Sequence, residues 1–253
     1  MVVTRRNLGI EVSGRTLLVE DASFNVSAAS SPRRVIGASP SWGHDGPLQT
    51  EINLRGVFSE NWSWLLNAAT GENSGGFPLR VGNVILQNCY LTEFELRGES
   101  HGTIGVTANL RSWAAHSGAF SGSIGGYTGL GTGVEHAYHS QYSNFSAQTG
   151  VYAPEAFVYR VQSERFPRFI VGSSTPSVVR LARLEKELTL NGKNVTSFVS
   201  YSGGSGVAQF SLNYATGSLN TGFNVYVSGE ISTQDFSLGD LLGVGITIRE
   251  FIR

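Results

Sequence analysis

Five histidines are the residues with the most evident capacity for chemistry: His44, His101, His116, His136 and His139. His136 and His139 are three residues apart and Glu135 is adjacent, a combination that occurs in metal sites. A zinc site needs three or four ligands held by further hydrogen bonds, and neither a third ligand nor the groups that would support it can be identified from the sequence. We therefore expect surface or structural roles for these histidines, and no metal, cofactor or catalytic site.

Nucleophilic chemistry has equally little support. The one cysteine, Cys89, lies in the apolar run 84–91, where a buried and unreactive thiol is expected. His44 is next to Asp45, but sequence neighbours do not form a catalytic dyad without a placed nucleophile. The segment 129–133 (GLGTG) has the glycine content of a phosphate-binding loop without the Lys-Ser/Thr that would follow it. The sequence therefore predicts that the protein is not an enzyme.

Composition and charge restrict the class of protein. Charged residues make up 15% of the chain and the formal net charge is −1, whereas an average soluble domain has about 25% charged residues. Such a chain lacks the broad cationic surface that holds nucleic acid. A weakly charged surface with 32 glycines favours burial against other subunits, although turns of an all-β protein also account for the glycines. No run is long enough for a membrane helix, and no apolar stretch of a signal peptide follows Arg5-Arg6, so we expect a soluble protein made in a cytoplasm.

An internal repeat is the most informative feature of the sequence. Residues 32–37 (PRRVIG) return as 167–172 (PRFIVG) at an offset of 135, and residues 51–56 (EINLRG) return as 187–192 (ELTLNG) at 136. Residues 98–102 parallel residues 239–243 at an offset of 141. Solenoid and propeller repeats are only 20–50 residues long, so collinear matches at this distance predict duplication of a whole domain. We expect domains at 1–116 and 151–253.

The residues between the two copies, 117–150, begin with a stretch rich in glycine and serine. Such a composition is typical of a flexible connection. Four apolar side chains interrupt it, namely Phe120, Ile124, Tyr127 and Leu130. A free tether would not need them, so they predict a segment that packs on a neighbouring subunit. Packing on its own domain explains them equally well.

Hydrophobic alternation with a period of two predicts strands in both copies. The clearest are 23–27, 49–58 and 103–110 in the first copy, and 157–161, 187–190, 223–227 and 244–251 in the second. One helix is predicted after Ser59, with Glu60 in its first turn and an apolar stripe of Trp62, Leu65, Leu66 and Ala69 before Gly71. The corresponding segment 194–199 is shorter and richer in β-branched residues. The expected fold is mainly β, with two tandem β-sandwich or barrel domains that each carry one short flanking helix.

Basic residues in the repeated Pro-Arg block are candidates for contacts between subunits. Arg33 and Arg34 lie in the first copy, and the second copy keeps Arg168. These side chains suit ion pairs across an interface, and a charge that protects an edge strand from aggregation is the alternative. The candidate subunit-contact residues are therefore Arg33, Arg34, Arg168, Phe120, Ile124, Tyr127 and Leu130.

The order of these features resembles the tail-tube fold of bacteriophage tails, baseplate hubs and related contractile injection machines. The resemblance is carried by residues 24–37, 51–66 and 98–110, and by residues 159–172, 187–199 and 239–251 in the second copy. It implies rings of β-sandwiches, each with a flanking helix, around a channel. The common tube subunit has one such domain per chain, so two domains imply a trimer that forms a pseudo-hexameric ring, or a tube of double-domain subunits.

The same resemblance implies partners and a location. The partners would be further copies of the chain, other tail or baseplate proteins, and DNA only as cargo in transit, with no membrane. The protein would be found in a virion tail that is assembled in the host cytoplasm. Two other functions remain open: a capsid decoration or adaptor protein, and a carbohydrate-binding tandem β-sandwich that uses Trp42, Trp62, Trp64 and Trp113. An axial channel would favour the first interpretation, and exposed aromatic rings beside Asp and Asn would favour sugar binding.

Overall fold

The structure is a computed structural model that describes residues 10–17, 19–33, 41–70, 75–114, 116–118, 138–147, 154–173, 175–193, 205–214, 223–238 and 242–252. These residues form fourteen strands and one helix, so the prediction of a mainly β protein is confirmed. The elements are β1 (Ile10–Val12), β2 (Arg15–Leu17), β3 (Val19–Arg33), β4 (Ser41–Val57), α1 (Glu60–Thr70), β5 (Phe77–Val81), β6 (Val84–Glu99), β7 (Gly105–Ser112), β8 (His116–Ser117), β9 (Tyr138–Ala147), β10 (Ala156–Arg168), β11 (Val178–Lys193), β12 (Ser205–Tyr214), β13 (Phe223–Leu238) and β14 (Leu242–Ile252).

Helix α1 forms where the sequence predicts it. Ser59 directly precedes the helix, and Glu60 supplies a negative charge in the first turn, where the helix dipole favours it. Trp62, Leu65 and Leu66 are buried, so these three members of the predicted apolar stripe face the core. The hydroxyl of Thr70 donates a hydrogen bond to the carbonyl of Leu66 at 3.0 Å in the last turn. The second predicted helix, at 194–199, lies outside the described residues.

All fourteen described strands belong to one antiparallel sheet. In the first half of the chain the strands lie in the order β3-β4-β7-β6-β5, and β1 and β2 extend the sheet beyond β5. In the second half the order is β10-β11-β14-β13-β12, and β9 extends it beyond β12. The five strands of each half therefore have the same neighbours in the same sequence. Strand β9 falls within the segment 117–150 that the sequence assigns to the connection.

The pairing registers of the two halves also correspond. Phe24 pairs with Ile52 in β3–β4, as Tyr159 pairs with Leu188 in β10–β11. Gly56 pairs with Val106 in β4–β7, as Gly192 pairs with Val244 in β11–β14. An irregularity interrupts β6 between Leu91 and Glu93 where it faces β7, and another interrupts β13 between Ile231 and Thr233 where it faces β14. A bulge bends its strand and increases the local twist, so the two halves curve at matching places.

The halves are joined through their edges by β6 and β10. Residues 93–99 of β6 pair antiparallel with residues 156–162 of β10, with Leu96 opposite Tyr159. The same edge of β6 carries β5 along its first part, where Leu86 pairs with Leu79. Gly98 makes room at the joint, since a Cβ atom there would lie 2.2 Å from Cε1 of Phe157. The sheet is thus continuous from one half of the chain to the other.

Aromatic side chains from both halves meet on the apolar face of the sheet. The ring of Phe58 stacks on Tyr138 with centroids 4.8 Å apart and meets the edge of Phe223 at 5.2 Å. Trp62 of α1 packs against Phe94 at 6.4 Å. Apolar residues of the two halves belong to one core cluster. Burial of this cluster is the main favourable term that holds the helix on the sheet.

Candidate functional site

The second face of the sheet carries a row of polar side chains that crosses eight strands. The alternation that turns Leu96, Tyr159 and Leu188 into the core turns their neighbours to this face. Successive residues in the row are cross-strand partners, in the order Asp21, Arg55, Thr107, Glu95, Arg160, Glu187, Arg249 and Glu230, on β3, β4, β7, β6, β10, β11, β14 and β13. We call this set the polar row. Acidic and basic residues alternate along it, with Thr107 as the one uncharged member.

Ion pairs neutralise the polar row from within. Arg160 donates from Nη2 to Oε2 of Glu95 at 2.6 Å, across the joint between the two halves. Arg249 donates from Nε to Oε2 of Glu187 at 2.6 Å. Arg97 also donates to Glu95. Because positive and negative groups satisfy each other, the polar row offers no excess of positive charge to hold a polyanion.

The polar face is concave. A cavity of about 940 Å³ lies over β3, β4, β7, β6 and β10 and is lined by residues that include Asn25, Glu51, Asn109 and Gln162. A second cavity of about 550 Å³ lies beside it, between Asp21 and Arg97. Both are open and lined by polar as well as apolar residues, unlike the enclosed and mainly apolar pockets that bind small molecules. The geometry suits a surface that lines a wide space better than a site that grips one ligand.

Glu95 at the joint has a shifted pKa. Burial raises the pKa of this carboxyl, but hydrogen bonds from Arg97 and Arg160 lower it by more, so it lies below the ordinary value of 4.5. A carboxyl whose pKa is lower in the folded protein stabilises the fold above its unfolded pKa. That contribution disappears as the pH falls through the folded pKa.

The Glu95→Gln variant is therefore expected to lose about 1–2 kcal/mol of unfolding free energy at pH 7, because Arg160 loses its charged acceptor. The difference from the natural protein should shrink as the pH falls through the folded pKa of Glu95, because the carboxyl is then protonated in the folded protein as well. Urea titrations at pH 7 and over an acidic series measure this. Glu51→Gln is the matched control, since Glu51 and Arg111 pair at 2.8 Å but are 48% and 39% exposed, and exposed pairs contribute about 0–1 kcal/mol. Equal losses for the two variants at pH 7 would contradict the assignment.

An exposed apolar tip is the second notable surface. It lies at the end of the β10–β11 hairpin and comprises Phe166, Ile170, Val171 and Val178, which are 58%, 62%, 103% and 47% exposed. Arg168, a predicted subunit contact, ends β10 within this tip and is exposed. Its carbonyl accepts hydrogen bonds from the amide and hydroxyl of Ser177 at 2.8 and 2.9 Å. A cluster of large exposed apolar side chains marks an interaction surface in most soluble proteins.

No protein-family model matches the chain, and no curated protein matches it.

Of the other predicted contact residues, only Arg33 lies among the described residues. Arg33 is the last residue of β3 and pairs with Ser41 of β4. Arg34, Phe120, Ile124, Tyr127 and Leu130 lie outside the described residues. The predicted set of contacts therefore stays a prediction. The structure adds the polar row and the apolar tip, which the sequence analysis missed. Charges two residues apart, as in Glu93, Glu95 and Arg97, were the signal that could have indicated the row.

The candidates for chemistry are dispersed or buried. Within the described ranges, no three residues among His, Cys, Asp and Glu are grouped as metal ligands. Burial raises the pKa of the Cys89 thiol to about 12, so the thiol is protonated at neutral pH. Trp62 and Trp113 are buried, and the half-buried Trp64 lies under Arg15 at 5.1 Å, so these three rings form no exposed sugar-stacking platform. In the part of the chain that the structure describes, no helix is long and apolar enough to cross a membrane.

Proposed function

We propose that the chain is a tandem duplication of a β domain and a structural subunit of a phage-like tail. It assembles into a ring or tube segment, as tail tube or baseplate hub, around a channel through which DNA passes. The observation that carries the proposal is the repetition of strand order, register and bulge in the two halves of one continuous sheet. A chain that joins two such units edge to edge already contains one of the contacts that a ring of these units would repeat.

Closed symmetry supports a ring rather than a free monomer. Soluble homo-oligomers are mostly closed and cyclic, because an open head-to-tail contact leads to filaments. Two repeats per chain make a trimer equivalent to six repeats around an axis. The apolar tip of the β10–β11 hairpin supports contact with a further subunit or another tail protein, since burial of Phe166, Ile170 and Val171 would remove large apolar side chains from water.

The polar row supports the placement of the concave face toward the channel. A wall with excess Lys and Arg would bind phosphate with strongly salt-dependent affinity and hold the DNA. The polar row has four carboxylates and three guanidiniums, and ion pairs occupy Glu95, Arg160, Glu187 and Arg249. DNA would therefore pass such a wall as cargo without being gripped. The proposal includes no catalytic role and no cofactor.

The mass of the native particle, combined with end-on electron micrographs of the purified protein, tests the proposed function. The expected result is a closed ring with an axial hole and a mass that is a whole multiple of the 27.1 kDa subunit. Three subunits are expected if each repeat occupies one of six positions. A monomer at high protein concentration, or an assembly without an axial hole, would contradict the proposal and favour the decoration or sugar-binding functions.

A further inference from the structure

Two strand edges of the described sheet correspond to the two edges that meet at the β6–β10 joint. One edge of β6 pairs with β5 along its first part, and residues 156–162 of β10 pair with the rest of that edge. Strand β13 holds the equivalent position in the second half, and β12 covers its equivalent edge only as far as Glu230. From Thr233 to Leu238, β13 is paired with β14 alone among the described strands. Strand β3, the equivalent of β10, is paired with β4, and no described strand lies along its other edge.

The registers of the two halves fix which residues correspond. Gly56 of β4 and Gly192 of β11 are equivalent, and their partners are Val106 and Val244. Val106 in turn pairs with Leu96, and Val244 pairs with Phe236. Leu96 and Phe236 are therefore equivalent. Tyr159 and Phe24 are equivalent through their partners Leu188 and Ile52. Transfer of the β6–β10 register to the open edges then places Thr233 opposite Ser27, Asp235 opposite Asn25 and Leu238 opposite Ala22.

The side-chain types at these positions match across the transferred register. Gly98 opposes the large Phe157 at the existing joint, and the transferred pair reverses the sizes, with Leu238 opposite the small Ala22. Close-packed joints tolerate such exchanges because the summed volume changes little. Asp235 stands where Glu95 stands, and Asn25, which can donate to a carboxylate, stands where Arg160 stands. These three pairs thus match polar with polar and apolar with apolar residues, whereas Val26 falls opposite Gln234 at the position where Val161 faces Phe94 in the existing joint.

Neither edge segment contains lysine or proline, two of the residues that commonly protect an edge strand from pairing. Natural edge strands are commonly blocked by lysine, proline or inward-pointing charge. Residues 22–27 (ASFNVS) and 233–238 (TQDFSL) contain no Lys, Arg or Pro. Val26 in the first of them is 42% exposed. Such strands are templates for addition of another strand.

We infer that β3 of one subunit pairs antiparallel with residues 233–238 of β13 in a neighbouring copy, in the register that sets Ser27 opposite Thr233. The inference rests on the proposed assembly and names its contact. Pairing of these two edges within one chain would close the sheet on itself. A second copy supplies the complementary edge at each joint and lets the sheet continue. The joint between subunits thereby reproduces the joint within the subunit.

Disulfide trapping tests the register. The variants Ser27→Cys and Thr233→Cys, co-assembled and oxidised, should give covalent dimers that neither variant gives alone. Directly opposed strand residues have Cβ atoms about 4.5–5.5 Å apart, close to disulfide geometry. Ser27→Cys with Ser237→Cys is the shifted control, because four residues displace the thiols by about 13 Å. We expect about tenfold more dimer from the first pair than from the shifted pair.

An intrachain pair provides the positive control. Glu93 and Gln162 occupy the equivalent positions at the existing joint, with Nε2 of Gln162 3.3 Å from Oε1 of Glu93. Glu93→Cys with Gln162→Cys in one chain should oxidise without a gain in mass. The natural Cys89 is fully buried and does not compete.

The outcomes separate this inference from the proposed function. Rings that carry the Ser27–Thr233 link support both. Rings without that link, or with the shifted link in equal amount, overturn the register and leave ring assembly intact. Links in open filaments without an axial hole support the register and contradict the ring. Monomers without links overturn both proposals.

Discussion

Replacing Trp62 with alanine is expected to lower the free energy of unfolding by about 3–5 kcal/mol. The indole is fully buried between α1 and the sheet and packs against Phe94 with ring centroids 6.4 Å apart. Its removal leaves a cavity that the surrounding strands cannot fill, since β6 is held by neighbours along both edges. Urea denaturation followed by circular dichroism measures the loss.

Trp64→Ala is the matched control for this prediction. Trp64 lies two residues away on the same helix, is half-buried and packs under Arg15 at 5.1 Å. Its loss should cost about 1–2 kcal/mol, because less apolar surface is exposed and no enclosed cavity forms. Similar losses of unfolding free energy for the two variants would show that packing of Trp62 is not the main contact between α1 and the sheet.

The Gly98→Ala substitution should destabilise the protein by about 1–3 kcal/mol through overpacking at the β6–β10 joint. The added methyl group would lie 2.2 Å from Cε1 and 2.8 Å from Cζ of Phe157. Phe157 is 3% exposed, so its ring has little room to move. The midpoint and slope of a urea titration report the change. Gly102→Ala is the control, since nothing lies within 4 Å of a Cβ atom at that glycine.

A double-mutant cycle with Phe157→Leu identifies the cause. If the clash with the ring is responsible, Gly98→Ala should cost less in the Phe157→Leu background than in the natural protein. Coupling of about 0.5–3 kcal/mol is typical of residues in contact. Strict additivity would assign the effect to the backbone of β6 instead of the joint.

Local sequence patterns were sufficient to predict β4 and α1. Alternating apolar residues at Ile52 and Leu54, and a helical stripe containing Trp62 and Leu65, reflect the periods of two and 3.6 residues that a strand and a helix impose. The structure places β4 and α1 at these residues. The burial of Cys89 within its apolar run was predicted on the same basis and is confirmed.

Non-local pairing was beyond the sequence. Nothing near Glu95 shows that its partner is Arg160, since a strand edge accepts any strand with compatible alternation. The repeat near residues 98–102 also needs correction. The sequence aligned Gly102 with Gly243, whereas the registers make Gly105 the equivalent of Gly243, because Arg97 opposes Gly105 as Ser237 opposes Gly243. The hairpin between β13 and β14 is shorter than that between β6 and β7, and glycine content alone could not locate the difference.

The β6–β10 joint also sets a kinetic condition during synthesis. Sixty-five residues separate Glu95 from Arg160, so a ribosome that adds roughly 5–20 residues per second needs several seconds to supply the second strand. During this interval β10 of the same chain is not yet available to the edge of β6, and other nascent chains on the same messenger RNA are close by. Capture of a neighbour's β10 would give a domain-swapped dimer. The tether gives the chain's own β10 an effective concentration on the order of millimolar, which favours self-closure unless translating ribosomes are crowded.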